Sequence, residues 1–174
     1  MNRINSFKEE HAFLSNFELC KVTLDGVDYP SVENAYQAAK LNIPNNLILT
    51  NIIRTDNGFD TCTAKQSKRL GRKVILRDDW DEIKDDIMYD LVKQKFSRNT
   101  KLKSMLMSTG DRELVEGNWW HDNYWGDCSC SKCYDIEGKN KLGKILMRVR
   151  DELKIRLISV DKASIKPEFT QEIC

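Results

Sequence analysis

The segment from Cys20 to Lys40 constrains the fold more strongly than any other part of the chain. Apolar and polar residues alternate from Cys20 to Leu24 and again from Val27 to Tyr29, and Asp25-Gly26 separates the two runs. An Asp-Gly pair between alternating runs is a strong signal for a two-residue β-hairpin turn. The pattern therefore predicts a hairpin that leads directly into the next element.

That element is predicted to be a helix within the sequence YPSVENAYQAAK, residues 29–40. Pro30 suits a helix start, and Ser31 can cap the free amides of the first turn. Glu33 then lies in the first turn, where we expect the helix dipole to keep the pKa of its carboxyl low. Helical spacing puts four polar side chains on the face opposite three alanines: Glu33, Tyr36, Gln37 and Lys40. Such a stripe is typical either of a solvated helix face or of the wall of a site.

The rest of the chain has helical periodicity in several separate segments. With 174 residues, of which 40% are hydrophobic and 32% charged, the chain is long enough for one domain with its own core. We predict a lead-in at residues 1–11, a single compact domain at 12–157 with a small N-terminal hairpin, and a peripheral tail at 158–174. Helices are predicted at residues 47–54, 63–70, 80–96, 101–107 and from about 140 to 153, and a strand at Leu114-Val115.

Net charge and cysteine usage limit the binding partners and the cellular compartment that we expect for the protein. The formal net charge is +1, so no global field attracts nucleic acid or an acidic membrane, and anions must be bound locally. The first residues lack the apolar region of a secretory signal, and no apolar run is long enough for a membrane span. Three of the six cysteines are scattered singly, which fits a reducing cytosol. We expect a cytoplasmic monomer without membrane partners.

Two unusual segments follow one another near the end of the chain. GNWWHDNYWGD, residues 117–127, combines aromatic rings with carboxylates, which favours a slot for a ring-shaped ligand; Trp119 is expected in a small core under this loop. Cys128, Cys130 and Cys133 have spacings that zinc accepts, but a structural site needs a fourth ligand. His121 or Asp127 could supply it. The sequence alone favours incidental thiols, and we predict no metal and no cofactor.

Seven motifs in order resemble the YbiA/NADAR family, from about Ala12 to Leu153. They are FLSNF, YPSVENAYQAAK, KRLGR, RDDWDEIKDDIMYDLVKQKF, LMSTGDRELVE, DNYWGD and GKNKLGKILMRVR. The resemblance implies a single compact YbiA-like domain with an α+β, predominantly helical fold and a small β element. It also implies an N-glycosidase that acts on ribosylated substrates: either ribosylamino-pyrimidine phosphates of riboflavin synthesis or ADP-ribosylated bases of nucleic acid. Where the family usually has a glycine-rich loop after YWGD, this chain has CSCSKCYDIEG.

The resemblance also implies a site, formed here by Glu33, Trp80, Asp122 and Trp125. Breaking a ribose C1′–N bond passes through an oxocarbenium-like state, which carboxylates such as Glu33 and Asp122 stabilise while they activate water. The separation of these two carboxylates would decide between retention and inversion. Trp80 and Trp125 would stack on the base or sugar.

The other predicted substrate-binding residues are Tyr36, Lys40, Arg72 and Asn140. Arg72 and Lys40 would pair with phosphate, and the helix after Asn140 would offer it free amides. Arg72 belongs to a basic cluster, with Lys65, Lys68, Arg69 and Lys73, that is either a solvated face or a phosphate grip.

Three functions remain open from the sequence. We favour an N-glycosidase that removes ADP-ribose from guanine of nucleic acid, because the altered loop suggests a member outside riboflavin synthesis. A riboflavin-intermediate hydrolase is the alternative substrate class. A non-catalytic ADP-ribose-binding module would not need both Glu33 and Asp122, and a zinc-organised interaction protein would be built around the cysteine segment.

Overall fold

The computed structural model describes residues 2–41 and 58–164, with side chains as far as residue 155. Within these ranges the chain forms a 3₁₀ helix (Glu9–Leu14) and five α-helices: α1 (Val32–Ala39), α2 (Ala64–Gly71), α3 (Trp80–Arg98), α4 (Thr100–Ser108) and α5 (Lys141–Ser164). Six short strands accompany them: β1 (Arg3–Ile4), β2 (Leu19–Leu24), β3 (Val27–Ser31), β4 (Glu113–Leu114), β5 (Gly117–Asn118) and β6 (Asp127–Cys128). The predicted helix at 47–54 lies outside the described residues.

The strands form three two-stranded sheets. β2 and β3 are the predicted antiparallel hairpin, and both turn residues adopt the left-handed conformation, with φ of 51° at Asp25 and 84° at Gly26. β1 pairs in parallel with β4, and β5 in parallel with β6. The N-terminal residues are more than a lead-in, because they supply β1 and two buried core side chains, Ile4 and Phe7.

Helix α1 lies at the centre of the molecule. It packs against α2, α3 and the β2–β3 hairpin, and every residue of it is buried, so its polar stripe is not a solvated face. Ser31 is the N-cap, as predicted, and its hydroxyl accepts a hydrogen bond of 3.1 Å from the Asn34 amide. Pro30 lies in β3 and not in the first turn of the helix. The stripe therefore faces the interior.

Two other helix ends are set by local contacts. Gly71 is the last residue of α2; a side chain there would collide with the Gln37 amide, so the glycine permits close packing on α1. Asp79 caps α3 by position only, because Arg77 holds its carboxylate at 2.6 Å. α5 continues through residue 164, so the first part of the predicted tail is helical.

The start of α5 packs tightly against β4. A Cβ at Gly143 would overlap the carbonyl oxygen of Leu114, which explains a glycine within a helix, where it is unfavourable by about 1 kcal/mol relative to alanine. Leu142, Leu146 and Val149 continue from this contact into the core. In the part of the chain that the structure describes, no helix combines the length and apolar character that crossing a membrane requires.

Candidate active site

A cavity of about 790 Å³ opens between α1, α2, the start of α3 and the loop that follows β4. This volume is in the range of sites for small organic ligands. Seven of the eight predicted site residues line it: Glu33, Tyr36, Lys40, Arg72, Trp80, Asp122 and Trp125. The fold therefore brings together residues that are as far as 92 positions apart, counting from Glu33 to Trp125.

Glu33 is 5% exposed and lies on the cavity wall. Its Oε1 accepts a hydrogen bond of 2.8 Å from Gln37 Nε2. Burial raises the pKa of the Glu33 carboxyl, although Lys68, the Gln37 hydrogen bond and Lys40 pull it down. The expectation of a low pKa at the helix N-terminus is wrong, since desolvation outweighs the favourable interaction with the dipole and the nearby cations.

A third carboxylate, Glu116, lines the same cavity. Burial is the main cause that raises its pKa to about 7, and repulsion from Asp122 adds to it. Its amide donates to Asn140 Oδ1 at 3.1 Å, which fixes the backbone at this position. A carboxyl that titrates near neutral pH is suited to general acid catalysis.

The loop from residue 118 to 125 is held by its own side chains. Asp122 Oδ1 accepts hydrogen bonds from the amides of Tyr124, at 3.2 Å, and Trp125, at 2.9 Å. Asn118 Nδ2 donates to the Asp122 carbonyl at 2.8 Å. Tyr124 Oη donates to Asp85 Oδ1 at 2.6 Å, which ties the loop to α3. Asp122 thus both orders the loop and borders the cavity.

Three aromatic rings form one side of the cavity. The Tyr36 ring lies 5.0 Å from that of Trp80 and 5.5 Å from that of Trp125, the second pair edge-to-face. Trp80 is 7% exposed and belongs to the hydrophobic core, whereas Trp125 is only partly buried. Aromatic geometry of this kind stabilises the wall and leaves ring surface for a stacked ligand.

Cations also line the cavity, one of them next to the aromatic rings. Lys40, Lys68 and Arg72 all border it, and Lys40 Nζ lies 5.5 Å from the centre of the Tyr36 ring. Burial lowers the pKa of the Lys40 ammonium, although Glu33 opposes the shift. A second groove of about 480 Å³ shares Lys68 and Arg72 with the cavity and adds Lys65 and Arg69. The predicted basic cluster is therefore continuous with the site.

Three buried polar atoms at the cavity have no hydrogen-bond partner among the described residues: Asn16 Oδ1, Gln37 Oε1 and Glu116 Oε2. Each belongs to a residue that lines the cavity. Buried polar groups without partners are unfavourable, so these atoms are suited to contact a polar ligand or ordered water.

Known proteins resemble this chain in both sequence and fold. A family model described as the NADAR domain matches residues 4–154, most of the chain. The chain belongs to the NADAR domain family. This membership, together with a fold that is α+β and mainly helical, confirms the family and the fold class predicted from the sequence.

Individual relatives give the extent of the match. The chain is 30% identical over 152 residues to the N-glycosidase YbiA of Escherichia coli (strain K12), covering 86% of each protein. It is 38% identical over 148 residues to the riboflavin biosynthesis protein VVA0006 of Vibrio vulnificus (strain YJ016), covering 84% of this chain but only 36% of that protein. The NMR structure of E. coli YbiA superposes with a TM-score of 0.71 at 27% identity, covering 90% of this chain and 86% of the other.

Asn140 is the predicted residue that does not line the cavity of this NADAR domain. Besides accepting from Glu116, it donates through Nδ2 to the Leu114 carbonyl at 2.9 Å. The amides of Lys141 and Leu142 donate to carbonyl groups of the 124–125 backbone at 3.2 and 3.0 Å. These two amides of the helix start therefore fasten the site loop and are not free for a phosphate, contrary to the prediction.

Other positions also differ from the sequence analysis. Trp119 is 65% exposed, with Lys8 Nζ 4.0 Å from its ring centre, and is not in a small core. Phe17, in the motif FLSNF, is 39% exposed and borders the cavity. Glu116 was missed, although it ends the motif LMSTGDRELVE as an acid directly after two apolar residues. An acid that directly follows the buried pair Leu114-Val115 was the feature of the sequence that could have indicated a site residue.

Proposed function

We propose that this NADAR domain hydrolyses the C1′–N bond between ribose and a base. The observation that carries the proposal is the meeting of three acids, Glu33, Glu116 and Asp122, with an aromatic wall in one cavity. The names of the N-glycosidase relatives in E. coli and Nostoc punctiforme support the enzyme class. A binding module would have no use for three carboxylates that repel one another.

Glu116 is the proposed general acid. With a pKa of about 7, a large share of it is protonated at neutral pH, and it gives this proton to the base nitrogen as the C1′–N bond breaks. The bonding electron pair leaves with the base, and positive charge develops on the sugar. A proton on the leaving nitrogen makes the base a better leaving group.

Glu33 and Asp122 are the proposed partners of the cationic sugar. In its ionised form, Glu33 takes a proton from the water that attacks C1′, and Asp122 stabilises the positive charge from the loop side of the cavity. The products are the free base and a sugar with a hydroxyl at C1′. Trp125 and Tyr36 would stack on the substrate and exclude bulk water. This scheme requires no cofactor.

The proposed substrate is ADP-ribosylated guanine. Lys40, Lys68 and Arg72 at the cavity, followed by the basic groove, offer more cations than a single phosphate needs. The diphosphate of ADP-ribose would bind the cations at the cavity, and the nucleic acid strand that carries the modified base would bind those of the groove. The name of the Vibrio relative favours the alternative, a ribosylamino-pyrimidine phosphate of riboflavin synthesis. A cytoplasmic, monomeric enzyme stays a prediction.

The test is to incubate the protein separately with a DNA oligonucleotide carrying ADP-ribosylated guanine and with the ribosylamino-pyrimidine phosphate. Release of free ADP-ribose or of free ribose phosphate is followed by chromatography. We expect faster turnover of the ADP-ribosylated DNA, which Lys68→Ala and Arg72→Ala should slow. Turnover of the pyrimidine alone would support the alternative, and tight binding of ADP-ribose with no turnover of either substrate would contradict an enzyme.

A further inference from the structure

Four potential metal ligands converge beside the site loop. The four residues are His121, Cys128, Cys130 and Cys133, and one ligand atom from each lies within 4.8 Å of the other three. His121 Nδ1 is 3.1 Å from Cys130 Sγ and 3.4 Å from Cys133 Sγ. The fourth donor that the cysteine spacing lacks is therefore brought to the thiols by the fold.

These separations match those of a tetrahedral metal centre. Zinc binds thiolate sulfur at about 2.3 Å and imidazole nitrogen at about 2.0–2.1 Å, so neighbouring sulfur and nitrogen ligands are about 3.5 Å apart. Three soft sulfur donors with one imidazole select Zn²⁺ over the hard cations Mg²⁺ and Ca²⁺, which prefer oxygen. Four protein donors without a carboxylate are typical of structural sites, whereas catalytic sites use three protein ligands and keep one position open.

The backbone around the cluster is already arranged for binding. The His121 amide points at Cys128 Sγ at 3.3 Å, as amides do toward thiolates. A turn closed by the Cys133 amide on the Cys130 carbonyl, at 2.9 Å, brings the last two sulfurs together. Cys128 and Cys133 are buried while His121 is exposed, so a metal ion can enter from one side.

We propose that His121, Cys128, Cys130 and Cys133 bind one Zn²⁺ ion in a closed tetrahedral site. The prediction of incidental thiols was based on the absent fourth ligand, and the position of His121 removes that objection. The ion would link His121 to Cys133 and so hold the active-site loop in place. Asp122, which lines the cavity, directly follows the ligand His121 in the chain. Because all four positions are filled by protein, the ion orders the active-site loop and takes no part in hydrolysis.

The test is zinc content and metal spectroscopy of the full chain, purified under reducing conditions. We expect about one Zn²⁺ per chain by elemental analysis. Replacement by Co²⁺ should give the intense visible absorption of a tetrahedral, thiolate-rich centre. Cys133→Ser and His121→Ala should each lower the zinc content at least about tenfold, since outer partners alone change affinity by 10–100-fold. Cys62→Ser and His11→Ala are matched controls outside the cluster and should keep full zinc content.

A strong chelator should lower the melting temperature of the wild-type protein and leave that of folded Cys133→Ser unchanged. Cys130→Ser is the second variant, because Cys130 is less buried than Cys128 or Cys133. Less than about a tenth of an equivalent of zinc in the reduced wild-type chain after incubation with Zn²⁺ would overturn the proposal. So would a disulfide among the three cysteines that persists under reducing conditions, or full zinc binding by both His121→Ala and Cys133→Ser.

Discussion

The two walls of the cavity are built on different physical principles. One wall is helix α1, in which every residue is buried and the site side chains share a helix with core alanines. The other is the loop from Glu116 to Cys133, which has short strands, two exposed tryptophans and many side-chain hydrogen bonds to its own backbone. Truncating a large buried side chain behind the first wall should therefore lower stability more than truncating a side chain of the second wall.

Tryptophan removal gives the largest expected effect and the sharpest contrast. Trp80→Ala should lower the free energy of unfolding by about 3–5 kcal/mol, because Trp80 belongs to the core behind the α1 wall. Trp125→Ala should cost less stability and lower substrate affinity and turnover together. Urea unfolding beside steady-state kinetics measures both effects, and the Phe variants should recover part of each loss. Equal destabilisation by the two changes, with unaltered kinetics per folded Trp125→Ala molecule, would erase the contrast.

Glu33→Gln comes next in size. We expect turnover at least about 100-fold lower, the scale for loss of a general base. Folding should persist, because the Gln side chain can still accept the hydrogen bond from Gln37 and no longer carries a buried charge. Circular dichroism and single-turnover rates test this, with the exposed Glu10→Gln as control. Near-normal turnover would remove Glu33 from the mechanism.

Glu116→Gln tests the loop wall through pH. If Glu116 is the acid, kcat/KM of the wild type should fall as pH rises above about 7, and the variant should lose this limb and about 100-fold in rate. A pH–rate profile of both proteins checks it. The same limb in the variant would assign the acid to another group.

The free energy of unfolding should also depend on pH, because Glu116 has a higher pKa in the folded protein than in the unfolded chain. The pKa of Glu116 rises from 4.5 to about 7 on folding, so its contribution to stability is complete below pH 4.5 and is lost as pH rises through 7. Urea unfolding at several pH values should therefore show Glu116→Gln gaining stability relative to the wild type across this window. A constant difference would mean that Glu116 does not titrate there.

Tyr124→Phe is the smallest expected effect. It removes the hydrogen bond to Asp85, which we expect to cost about 1 kcal/mol in unfolding free energy, the usual net contribution of one hydrogen bond, because this bond is only partly buried. Loosening of the loop should raise KM by less than about tenfold and leave kcat nearly unchanged. Thermal melts with steady-state kinetics measure both, and the Asp85→Asn variant with its double mutant would show whether the two losses are one interaction.

Local chemistry was enough to predict the first wall. The Asp25-Gly26 turn, the Ser31 cap and the helical spacing from Glu33 to Lys40 each act within a few residues, so the sequence specified the hairpin, the helix and its polar stripe. Motif order likewise pointed to the NADAR family and to four residues at the cavity, namely Glu33, Trp80, Asp122 and Trp125.

Only the tertiary structure decided the properties that depend on distant groups. The pKa of Glu33 rises because other elements bury it, which a dipole argument within one helix cannot include. Glu116 joins the site, and Asn140 leaves it, because β4 packs on the start of α5. His121 meets the three cysteines because the chain turns back at β6. Periodicity and capping act along the chain, whereas burial, charge pairing and ligand convergence act through space.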